Sequence, residues 1–87
     1  LVTIPLEGFE RRMQVIPTDD MRYIAMKVGM GKFSVAQKFY VRLVNSHTKA
    51  VVGEWECCNE PLIQMGPSNF GFQVKSGEHQ QVSDPRC

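Results

Sequence analysis

No apolar run in this 87-residue chain approaches the roughly 20 residues that a membrane-spanning helix needs, so insertion into a bilayer is not expected. An excess of one charge sign is missing too. Ten Lys and Arg stand against nine Asp and Glu, a net charge of +1, which supplies no electrostatic footprint for nucleic acid or an anionic surface. No Asn opens an Asn-x-Ser/Thr sequon, which disfavours an extracellular life. Cysteine is scarce and odd in number, and Cys57, Cys58 and Cys87 cannot all pair within one chain. Neighbours on a strand point to opposite faces, so Cys57 and Cys58 are poor partners for each other. Secreted frameworks more often carry an even count. The expectation is therefore reduced thiols in the cytoplasm, with Cys57 packed as a small hydrophobe. Heptads, internal repeats and βαβ alternation are also absent. The chain starts at Leu1 with no initiator Met, and one module of a longer protein is expected.

What is present is alternation. Phe39, Val41 and Leu43 fall on one side of an extended run, and Val51, Gly53, Trp55 and Cys57 on one side of a second. Lys38, Tyr40 and Arg42, then Val52, Glu54 and Glu56, fall on the other sides, so one face is buried and the other wet. Asn45-Ser46-His47-Thr48-Lys49 connects the two, with side chains that bond their own backbone in turns. Before this pair come Leu1–Leu6, with Pro5 marking an edge or lead-in. Then come Arg11–Ile16 with Met13 and Val15 inward, the turn Pro17-Thr18-Asp19-Asp20, and Tyr23–Val28 with Ile24, Met26 and Val28 aligned. Phe33–Gln37 fits either a helical turn or an extended strand. After the pair come Leu62–Met65 and Phe70–Lys75, the latter with Phe70, Phe72 and Val74 inward. Short runs broken every 8–12 residues or so predict an all-β fold, an immunoglobulin-like antiparallel β-sandwich of six or seven strands, with a small β-barrel as the alternative. One domain is expected over 1–78, followed by a loosely held polar tail over 79–87.

Constellations that carry chemistry are weak. Gly29-Met30-Gly31-Lys32-Phe33-Ser34 has Met26 and Phe33 where a phosphate loop needs glycine and Ser or Thr, and reads as a turn. Zinc would recruit Cys57, Cys58, His79 and Cys87, but the two adjacent cysteines lack the spacer that zinc ligands use. No metal or cofactor is expected. Cys58 with His79 would make a nucleophile pair, yet nothing in the sequence lowers the thiol pKa. Glu54 and Glu56 stand about 7 Å apart on one strand face, a spacing that suits paired carboxylates in glycoside hydrolysis. Opposite Arg42 and Lys38 they read more simply as a solvated, charge-paired face. Trp55 reads as the anchor of the core.

The order Val51-Val52-Gly53-Glu54-Trp55, Cys57-Cys58, then Pro61-Leu62-Ile63 resembles the immunoglobulin-like modules of the nephrocystin four family over Val41 to Ile63. The resemblance implies a non-enzymatic scaffold of the cilium base and carries over no catalytic residue. From the residues themselves, a protein-interaction module is expected, with partner contacts along Val52, Glu54 and Glu56, because an apolar side chain beside an open strand edge suits strand addition. The alternative is an extracellular or surface sandwich that binds a ligand or receptor.

Overall fold

Tyr23–Met30 (β2) buries side chains on both of its faces, which places it inside a sheet. In the computed structural model, which describes residues 10–31 and 38–85, β2 lies between Glu10–Pro17 (β1) and Lys38–Asn45 (β3), and Val51–Cys57 (β4) completes a sheet of order β1-β2-β3-β4. Ile63–Gln64 (β5), Asn69–Gln73 (β6) and His79–Ser83 (β7) form a second sheet of order β5-β6-β7. Every pairing is antiparallel. The described residues hold seven strands in two open sheets and no helix. This is the expected β-sandwich, and among the described residues no strand closes it into a barrel. The expected runs at Leu1–Leu6 and Phe33–Gln37, and Cys87, lie outside the described residues.

Turn chemistry acts where the sequence places it. Thr18 N–H donates to Tyr23 O and Met21 N–H to Thr18 O, each at 2.9 Å, closing the β1–β2 reversal. Met21 pays for this with a φ of 62°, a left-handed value that costs a residue bearing Cβ about 1 kcal/mol. Between β3 and β4 the Asn45 carboxamide oxygen accepts from His47 N–H at 2.9 Å and Thr48 N–H at 3.1 Å, as an Asx turn does.

The main core lies between the sheets. Ala25, Val41, Leu43 and Cys57 from the first meet Leu62, Phe70, Phe72 and Val82, with Phe39, Trp55 and Val74 packed around them. Phe70 and Phe72 face inward as expected. On β2, Ala25, Lys27 and Gly29 share the inter-sheet face with Leu43, Val41 and Phe39, their partners in register. Ile24, Met26 and Val28 join Val44 and Val15 in a separate buried cluster on the opposite face. Alternation defines two faces without saying which one meets the other sheet. Bulky residues of β3 and β4 occupy the inter-sheet layer, and β2 complements them there with Ala25 and Gly29. Lys27 is buried on that face, its Nζ 3.0 Å from Asn59 Oδ1 and 5.4 Å from the centre of the Phe39 ring, a cation–π distance.

Two bulges reset the alternation. In β1 the register shifts between Arg12 and Gln14, so Met13, expected inward, is 43% exposed, and Gln14 and Ile16 take the inner side. The Gln14 carboxamide accepts from Leu62 N–H at 2.7 Å and donates to Leu62 O at 3.0 Å, satisfying both backbone groups of a core residue. In β4 the shift falls opposite Leu43 and Val44, leaving Val52 as the extra residue. The expected tail is also corrected: His79–Ser83 is β7, paired with β6 over its length and contributing buried Val82. Its polar residues hide a single inward valine that composition alone does not reveal.

Candidate functional site

The β4 strand has β3 on one side and, among the described residues, no strand on the other. Such an edge exposes unpaired N–H and C=O groups along its length. Val51 and Val52 at its start are 52% and 46% exposed. Val51 was expected to face the core. The bulge explains the difference, because one inserted residue turns the strand out of phase with the inner row.

Beyond the bulge the alternation holds. Gly53, Trp55 and Cys57 face the second sheet, and Glu54 and Glu56 lie on the opposite face, paired in register with Arg42 and Tyr40. Arg42 Nε donates to Glu54 Oε2 at 2.7 Å, and Arg42 Nη2 to Glu10 Oε2 at 2.5 Å. One guanidinium thus links β1, β3 and β4. The Glu10 bond, followed by that to Glu54, raises the Arg42 pKa against the opposing effect of burial. Glu56 Oε2 accepts from Lys75 Nζ at 2.9 Å, and this contact holds the Glu56 carboxyl below its ordinary range. Both carboxylates remain partly open, with side-chain exposures of 43% for Glu54 and 38% for Glu56. Arg42 was legible from the sequence as a cross-strand partner. Lys75 was not, because it follows β6 in the other sheet.

Trp55 is half-buried rather than enclosed. Its ring centre is 6.3 Å from that of Phe72, inclined at 44°, within the range of favourable aromatic pairs. It lies back over Gly53, where an added Cβ would come within 3.0 Å of several ring carbons.

The other candidate residues do not converge. Cys57 and Cys58 are free thiols. Cys57 is buried in the core, and Cys58 Sγ donates to Val74 O at 3.0 Å. His79 instead lines a cleft of about 200 Å³ on the second sheet with Ile63, Met65 and Gly71, to which neither Cys58 nor the Glu54/Glu56 pair contributes. Among the described residues no three His, Cys, Asp or Glu side chains gather to hold a metal. The apolar cleft, with Ile63 and Met65 each 55% exposed, was not anticipated, since β5 is only two residues long and shows no alternation to read. No protein-family model, curated protein or solved structure matches this chain.

Burial pushes the Cys57 thiol pKa up, against a smaller opposing effect of Lys27. A group whose folded pKa is raised stabilises the fold below its unfolded pKa, and that stability is lost as pH rises through the folded value. Wild type should therefore lose stability relative to Cys57→Ala from about pH 8.5 upward, where an unfolded thiol ionises. Paired denaturant melts across that range check this, and parallel pH profiles of the two proteins would contradict it. A thiol reagent should modify Cys57 only on unfolding.

Proposed function

We propose that this chain is a non-enzymatic protein-interaction module that captures a strand of a protein partner along β4. The observation that carries the reading is the exposed Val51–Val52 pair at the start of an edge strand with no neighbour among the described residues. An added strand gains main-chain hydrogen bonds from such an edge and buries apolar side chains beside it. Val52, Glu54 and Glu56 are the contact residues in this reading. The free thiols of Cys57 and Cys58 suit a reducing cytoplasmic compartment. The resemblance of Val41 to Ile63 to nephrocystin four modules makes a scaffold at the cilium base the setting we infer.

Val52→Lys tests it. Exposed substitutions usually stay within about 0.5 kcal/mol, so the variant should melt like wild type and fail to retain the proteins that wild type retains from a cell lysate. Retention unchanged by Val52→Lys would sink this reading.

A further inference from the structure

We propose that the strand captured along β4 comes from a different protein and alternates basic with apolar residues, and that β4 rejects a second copy of its own chain. This rests on the edge-docking reading above. A strand laid beside β4 meets Glu54 and Glu56 on one face and Gly53 and Trp55 on the other. On the face with Glu54 and Glu56 the short contacts to Arg42 and Lys75 go to Oε2 of each carboxylate, and the side chains stay 43% and 38% exposed, open enough to accept from an incoming cation. Lys75 is itself 71% exposed, and an exposed pair of that kind exchanges partners at little cost. On the other face Trp55 is half-buried and packed from one side by Phe72. An apolar side chain of the added strand would cover its open side. Basic residues at alternate positions with apolar residues between them match both faces at once.

The same residues work against self-pairing. An antiparallel two-fold that pairs β4 with its own copy over its full length, Val51 to Cys57, is centred on Glu54. It sets Glu54 against Glu54 of the copy and Val52 against Glu56. Like charges directly opposite each other destabilise a strand pair. The bulge at Val52 adds local twist, a further device by which edges avoid uncontrolled association. The edge is thus closed to itself and open to a strand of opposite charge.

The probes are two capped peptides of the length of β4, one alternating Lys and Val and the other Glu and Val. Each is titrated into the full chain while backbone amide shifts and exchange rates are followed by NMR. The Lys/Val peptide should shift and protect amides of Gly53–Cys57, the Glu/Val peptide should leave them unmoved, and the protein alone should sediment as a monomer. Glu54→Gln/Glu56→Gln should weaken Lys/Val binding by about tenfold, the scale of two cross-strand charge pairs. Glu56→Gln alone leaves the Arg42 pairs intact, and should show part of that loss in a protein of unchanged stability. Equal binding of both peptides, Lys/Val binding that ignores the Gln variants, or a dimer with β4 protected would each overturn the proposal. Loss of lysate capture in Val52→Lys combined with a silent Lys/Val probe would refute the charge assignment alone. Capture that survives Val52→Lys refutes the edge reading beneath it.

Discussion

Trp55→Ala is expected to lower the unfolding free energy by about 2–4 kcal/mol, at or just below the usual cost of truncating a large aromatic, because the ring is half-buried. The ring seals the β4 side of the inter-sheet layer, resting on Gly53 and against Phe72. Removing it opens Phe72 and Val41, its partner in register, to water. For a domain of this size that is a large part of total stability. Gly53→Ala should reproduce part of the loss, about 1–3 kcal/mol, since the new methyl must displace the indole. Denaturant melts at neutral pH read both. A loss under about 1 kcal/mol for Trp55→Ala, the scale of a surface change, would mean that the indole does not pack on Phe72.

Arg42→Ala is expected to cost about 3 kcal/mol, as breaking a buried ion pair does. The Glu10 side chain is only 5% exposed and that of Arg42 only 12%, so the variant takes the guanidinium away from a carboxylate in a site poor in water. Glu54, at 43% exposure, can turn to solvent and adds little. Glu10→Gln in the Arg42→Ala background should recover part of the loss, because a neutral amide is cheaper to bury than a charge. Additive effects of the two substitutions would show that Glu10 and Arg42 do not interact in solution.

The parts of the fold legible in the sequence are those where a local rule has no competitor. Pro17-Thr18-Asp19-Asp20 and Asn45-Ser46 turn because their side chains and backbone bond locally. The inward rows Val41/Leu43 and Phe70/Phe72 follow from simple alternation. Elsewhere alternation is insufficient, since it carries no information about what lies across the sheet. Ile24, Met26 and Val28 share one face as read, but that this face lies away from the second sheet, with Ala25 on the inter-sheet side, is set by the packing. Val51 falls out of phase at the β4 bulge, and Met13, at that of β1, lies over Gly29 yet stays 43% exposed; a bulge inserts a residue without a sequence signal as plain as glycine or proline. Strand β7 hides because four of its five residues are polar, and its pairing with β6 is set by main-chain bonds rather than by a hydrophobic pattern. At the candidate site, Val52, Glu54 and Glu56 are all at least partly exposed on β4. Lys75 was missed because its neighbour Glu56 lies in the other sheet.

Amide hydrogen exchange along the four-stranded sheet tests the open edge at β4 most directly. Strands β2 and β3 have a partner on each side, so their amides should all exchange slowly. Along Val52–Cys57 the amides bonded to β3 should be slow, and the alternate ones, facing outward, should exchange at rates close to those of exposed backbone. Uniformly slow exchange along β4, matching β2 and β3, would mean that the edge is already covered and would contradict the account.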